Sequence, residues 1–200
     1  MPANVIADDP VWNIDTLSEA VFSRMVGKSY PEGCTVPRHE LRYLRVLHYD
    51  RDGQQHSGEL VCNEAIADDL LDIFRQLHEA HYPIERISLI DDYDADDERS
   101  MSANNTSCFC FRPISGTQRL SKHSQGMAID INPLYNPCVR TSRDGTKKIE
   151  PASGAPYANR RHVFPYKIVS GDLCHRLFLQ HGFKWGGAWR SVKDYQHFEK

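Results

Sequence analysis

Between Ser121 and Pro133 the chain reads SKHSQGMAIDINP, a strand-like apolar run with an aspartate set into it and a histidine seven residues upstream. If this run is a strand, Ala128, Asp130 and Asn132 share one face, and Met127, Ile129 and Ile131 share the other. The second face suits a core, so Asp130 turns toward a cleft or a cation. A buried carboxylate without a partner is costly, so a partner is required. His123 is placed to share that partner, because Gly126 lets the intervening chain turn tightly and approach closely. An imidazole and a carboxylate make two of the three protein ligands of a catalytic zinc site, and the third should be another histidine. Of the ten histidines, His197 in DYQHFEK stands out, with Asp194 three positions before it. On a helical turn, or where a strand begins tightly, that spacing lets both face one space. A carboxylate there has the placement a general base needs. HExxH does not occur, which excludes the common metalloprotease helix as the framework.

The elements that must position these residues follow from periodicity. Residues 13–30 carry Leu17, Val21, Phe22 and Met25 at helical spacing, with Gly27 as a stop. LRYLRVLHYD alternates as a strand, Asp52-Gly53 makes a turn, and GELVC pairs back. Asn63 caps a helix over NEAIADDLLDIFRQLHEAHY, with Ile66, Leu70, Ile73, Phe74 and Leu77 as one apolar stripe. IERISLIDDY and CFCFRPI read as strands, and the segment around Asp130 supplies the next. Residues 133–167, rich in Pro, Gly, Arg and Asn, read as a surface excursion. VSGDLCHRLFLQHG reads as a short helix from Ser170 that stops at Gly182, before FKWGGAWRSVKDYQHFEK closes the chain. Without regular strand–helix–strand alternation, the fold class is α+β: one domain, a small antiparallel sheet with flanking helices.

SKHSQGMAID fits the Ser-x-His-x-x-Gly-x-Ala-x-Asp signature of the zinc D-alanyl-D-alanine carboxypeptidases, and Asp194-Tyr-Gln-His197 fits the family's second signature. With GELVCNEAIADDLLDIFRQL, PIERISLIDDY, NNTSCFCFRPISG, DINPLYNP and WGGAW, the chain resembles the VanY-like branch of that family over roughly residues 40–200. L-alanyl-D-glutamate endolysin peptidases are related to it. The resemblance implies the DD-peptidase/Hedgehog zinc fold, with residues 1–39 as an N-terminal helical extension and 40–200 as the zinc peptidase domain. It implies that His123, Asp130 and His197 bind Zn2+, and that Asp194 takes a proton from the attacking water and later delivers it to the leaving amine. Arg112 would polarise the scissile carbonyl, for which its permanent charge and fixed donors suit it. Ser121 would hold substrate or orient His123, and Trp185, Gly186, Gly187 and Trp189 would wall a groove. Asp stands at the base position, where some members carry Glu.

Plainer readings stand beside these. Arg112 could simply pair with the acidic 91–98 stretch, Trp185 and Trp189 could be core, and Ser121 a turn residue. The DDYDADDE run reads as a solvated face, since it lacks the spacing and glycine of a calcium loop. The other histidines, His39, His48, His56, His78, His81, His162, His175 and His181, read as surface or hydrogen-bonded residues. A net charge of −3 without a basic patch argues against nucleic acid as partner, and no apolar run approaches a membrane span. MPANVIADDPVW reads as lacking a signal peptide. The substrate implied by the resemblance, the peptidoglycan stem peptide, lies outside the cytoplasmic membrane, which points to the cell envelope. The six cysteines include no CxxC pair.

Three functions compete: zinc-dependent hydrolysis of a stem-peptide bond, at the D-Ala-D-Ala terminus or internally; a non-catalytic Hedgehog-like zinc module; and a Cys-His peptidase using Cys108 or Cys110 against His123. Asp194 together with Arg112 favours the first, and the third leaves Asp130 and His197 unexplained.

Overall fold

The strongest local signals build the largest sheet. In the computed structural model, which describes residues 12–200, strand β1 (Asn13–Thr16) leads into helix α1 (Glu19–Met25). Strands β2 (Leu41–Tyr49) and β3 (Gln55–Asn63) form a hairpin whose register runs from Leu41 opposite Asn63 to Tyr49 opposite Gln55. β1 adds antiparallel to the other edge of β2. The helix expected over 13–30 is therefore shorter. Ser18 caps α1 by accepting from the Val21 N–H at 3.2 Å, and the residues ahead of it pair as a strand.

Alternation gives this sheet two faces. Leu44, Val46, Leu60 and Cys62 pack on helix α2 (Glu64–Glu79), whose buried stripe is Ile66, Leu70, Ile73, Phe74 and Leu77. Leu41 and Val61 meet Leu17, Met25, Val36, Leu89 and Phe109 on the other side. Asn63 caps α2 as expected, its Oδ1 accepting from the Ala65 N–H at 3.0 Å.

The next segments depart from expectation. β4 (Arg86–Ile87) is only two residues long and pairs in parallel with β5 (Asn105–Thr106); helix α3 (Asp97–Ser102) lies between them. The chain coils after Leu89, where Asp91 turns inward to accept from the N–H and hydroxyl of Ser29, each at 3.0 Å. Residues 108–114 form no continuous ladder. The N–H groups of Phe109, Cys110 and Phe111 donate in turn to Val61, His123 and Ser29, three different segments.

The remaining strands are β6 (Ala128–Asp130), β7 (Cys138–Thr141), β8 (Lys147–Glu150), β9 (Lys184–Trp185), β10 (Val192–Asp194) and β11 (His197–Glu199), with helix α4 (Leu173–Gln180) before β9. They form two antiparallel sheets, ordered β6-β11-β9 and β10-β7-β8. The fold is α+β as expected, but the described residues hold several small sheets rather than one. Asp172, rather than Ser170, caps α4, its Oδ1 accepting from the His175 N–H at 2.8 Å.

Residues 133–167 are not a loose excursion. They contain the β7–β8 hairpin, and Arg160 fastens their base by donating to Asn136 Oδ1 at 2.9 Å and to the carbonyls of Tyr135 and Ile168, both at 2.7 Å. No helix among the described residues is long and apolar enough to cross a membrane. The segment before residue 12, on which the signal-peptide reading rests, lies outside the described residues.

Candidate metal centre

Strand register assembles the centre. β11 pairs antiparallel with β6 so that His197 sits directly opposite Asp130, while the neighbouring pair, Phe198 and Ile129, is fully buried in the core. The face expected to carry Asp130 is itself buried, since Ala128 and Asn132 have no exposed surface. His123 arrives from the other side on the 3-10 turn Lys122–Gln125. Ser121 opens that turn by accepting from the His123 N–H at 3.2 Å, and Gly126 closes it at φ 68°. A Cβ on Gly126 would stand 2.6 Å from the Asn63 backbone nitrogen, so the turn lies hard against the start of α2. The expectation that Gly126 serves tight turning and close approach is met on both counts.

The ligand atoms of His123, Asp130 and His197 all lie within 4.8 Å of one another, as a metal ion requires. His123 Nε2 is 3.2 Å from Asp130 Oδ2 and 3.2 Å from His197 Nδ1, and His197 Nδ1 is 3.0 Å from Asp130 Oδ1. Each ring is held by its outer nitrogen: His123 Nδ1–H donates to the Cys108 carbonyl at 2.6 Å, and His197 Nε2 lies 3.1 Å from Glu199 Oε2. Such outer partners fix which nitrogen faces a metal. The two inner nitrogens thus point lone pairs at each other beside a carboxylate, and only a cation or a proton between them resolves that contact. Burial works against charge on His197, yet hydrogen bonds to Asp130 and Glu199 raise its pKa to about 10. Burial would likewise raise Asp130, but the charges and hydrogen bonds of His123 and His197 hold it well below the usual carboxylate range.

Asp194 ends β10, opposite Cys138 on β7, and the two residues Tyr195–Gln196 carry the chain on to His197. Burial, with Asp130 adding to it against the pull of His197, pushes the Asp194 carboxyl up to about 6, and its Oδ1 has no hydrogen-bond partner. Gly186 makes room for this bend, since a Cβ there would lie 2.7 Å from the Asp194 carbonyl oxygen.

A cavity of about 220 Å3 opens on the centre, and its walls include Arg112, Ser121, His123, Asp130, Trp189, Asp194 and His197. The structure brings all of these expected residues together. Trp189 lies beside His197 with ring centres 5.4 Å apart. Trp185 is the exception. It is 8% exposed in the main core, and its indole N–H donates to the Tyr195 carbonyl at 3.0 Å. Gly187, which a Cβ would drive to 2.3 Å from the Trp185 ring, leaves space for that inward packing.

Sequence reasoning missed Glu199, although its position two residues beyond His197 on a strand puts both on one face. It also missed the Cys108 carbonyl. The plainer reading of Arg112 as a partner of the 91–98 stretch did anticipate its contact with Asp97, 2.5 Å from Arg112 Nε, but not that Asp97 lines the cavity. The acidic run is thus not wholly a solvated face: Asp91 and Asp97 point inward. Both candidate thiol nucleophiles are buried, and burial pushes Cys108 well above the ordinary range and Cys110 up to about 12. A neutral, enclosed thiol is a poor nucleophile, which disfavours the Cys-His peptidase.

Two imidazoles, a carboxylate and a second carboxylate with one oxygen unpaired, facing one cavity, form the kind of centre that hydrolytic metalloenzymes use. Residues 115–200 match the family model described as D-alanyl-D-alanine carboxypeptidase, which bears out the resemblance and supports a peptidase of that type. No curated protein and no solved structure matches the chain.

Proposed function

We propose that this protein is a zinc metallopeptidase that hydrolyses peptide bonds of peptidoglycan stem peptides as a D-alanyl-D-alanine carboxypeptidase. The observation that carries the reading is the convergence of His123 Nε2, Asp130 and His197 Nδ1, each outer nitrogen already engaged, in the cavity that holds Asp194 with its Oδ1 unpaired. The donor set of two imidazoles and a carboxylate suits Zn2+ with a position left open. When bound there, zinc supplies a Lewis acid that polarises the carbonyl and acidifies water.

The chain's own residues supply the rest. Asp194, raised by burial, accepts the proton of the attacking water as oxygen bonds to the carbonyl carbon. It returns that proton to the amide nitrogen as the C–N bond breaks, so the leaving group departs as a neutral amine. Arg112 stabilises the negative charge that develops on the carbonyl oxygen. Ser121 orients His123 through its cap, and Trp189 gives the substrate an apolar wall. A stem-peptide substrate would put this work in the cell envelope.

The test is product analysis on a muropeptide carrying the pentapeptide stem. The reading expects free D-alanine, abolished by a chelator and restored by zinc. An intact pentapeptide terminus with cleavage inside the stem would shift the assignment to an endopeptidase. No cleavage at all by the zinc-loaded protein would leave a binding module.

A further inference from the structure

Arg112 is fixed at its backbone by the same turn that presents His123. Its N–H donates to Ser124 Oγ at 2.9 Å, and its carbonyl accepts from the Ser124 hydroxyl at 2.6 Å and from the Ser121 N–H at 3.1 Å. The other end of the side chain needs its own anchor, because an arginine has several free torsions between Cα and guanidinium. Asp97, the first residue of α3, supplies that anchor: its Oδ2 lies 2.5 Å from Arg112 Nε, inside the cavity that holds the metal centre. The carboxylate thus meets the guanidinium at its Nε edge as an ion pair, and of the terminal nitrogens Nη1 lies 3.5 Å from the Pro113 carbonyl. α3 is itself tethered on its far side. Glu98 accepts from the Ala152 N–H at 2.6 Å, and the Ser102 and Ser153 hydroxyls meet at 2.8 Å.

We propose that Asp97 is a positioning residue that fixes the Arg112 guanidinium at the angle from which it meets the scissile carbonyl. This rests on the carbonyl-polarising role given to Arg112 above. Asp97 touches neither substrate nor metal in this role; it acts through the arginine. The pair also explains why Asp97, in a largely solvated acidic run, turns inward.

The test compares the full chain, loaded with zinc, as wild type, Asp97→Asn, Arg112→Ala and the double variant. Asp97→Asn is expected to lower kcat tenfold to a hundredfold, the scale on which misplacing a catalytic group acts, with KM within about twofold and zinc content unchanged. Once Arg112 is Ala, the same substitution should cost nothing more, because the group it positions is gone. Unchanged kcat in Asp97→Asn, or an equal loss on both backgrounds, would overturn the assignment.

A second measurement needs no turnover. The Arg112 Nε resonance, assigned by its loss in Arg112→Lys, should show restricted side-chain motion by nitrogen relaxation in the wild type and freer motion in Asp97→Asn. Equal mobility in both overturns the positioning role. An inactive wild type with a restricted Arg112 side chain would instead contradict the proposed function and leave the Asp97–Arg112 geometry intact.

Discussion

His123 Nε2 and His197 Nδ1 stand 3.2 Å apart with a carboxylate against each, which in the absence of metal requires a proton on the pair. Hydrogen bonds to Asp130 and Glu199 hold that proton on His197 against the cost of burial, with a pKa of about 10. At neutral pH the metal-free site is therefore protonated, and zinc must displace about one proton on binding. Calorimetry in buffers of differing ionisation enthalpy should show that release, and apparent affinity should fall as pH drops. Binding without proton release would contradict the assigned nitrogens. These three residues were legible in the sequence because motif spacing carries them. Asp97 was legible only as one of the acidic residues of 91–98, because which of them reaches Arg112 depends on how α3 packs. Trp185 and Trp189 were indistinguishable by type, and only the bend at Gly186–Gly187 sends one to the core and the other to the cavity.

At the scale of elements, the turn at Lys122–Gln125 and the β2–β3 hairpin make separate predictions. Gly126→Ala would place a Cβ 2.6 Å from the Asn63 nitrogen at a positive φ, so something must shift. A loss of about 2–4 kcal/mol is expected from strain and clash together, along with weaker zinc binding, since the turn presents His123. Denaturant unfolding and zinc titration check both. In the hairpin, His48 is buried with Nδ1 2.6 Å from the Ile84 carbonyl. Burial lowers its pKa to about 4, outweighing the Ile84 hydrogen bond; His56 and His78 add to the lowering and Asp50 opposes it. A depressed folded-state pKa means stability present above the unfolded value near 6.5 and lost as pH falls toward 4. Wild type should lose on the order of 2 kcal/mol more than His48→Gln between pH 7 and pH 4.5, read by urea unfolding at each pH. The hairpin and α2 were legible because alternation and a helical stripe span many residues. The strands expected at 84–93 and 108–114 were not, because their backbone donors go to several segments rather than to one neighbour.

Across the whole molecule, the metal centre joins parts distant in sequence: the 3-10 turn, β6 and β11, with β10 and α3 beside them. A ligand that binds only the folded state stabilises it by about 4 kcal/mol at a thousandfold excess over Kd. For a chain of this length that corresponds to a fall in Tm on the order of 10 °C when zinc is removed by a chelator. Calorimetry should show this fall reversed by zinc and not by magnesium, whose preference for six oxygens this donor set does not meet. The α+β class was legible from the order of elements. The division into several small sheets was not, because each strand near the site has four residues or fewer and carries too little periodicity to place.

The most direct test of the account pairs zinc content with turnover in wild type and Asp194→Asn. Elemental analysis should find about one zinc per chain in both, because Asp194 is a base and not a ligand. Release of D-alanine from the pentapeptide muropeptide should fall by about 10²–10⁴-fold in the variant alone. A wild type that holds no zinc, or a variant that turns over as fast as the wild type, would contradict the account at its centre.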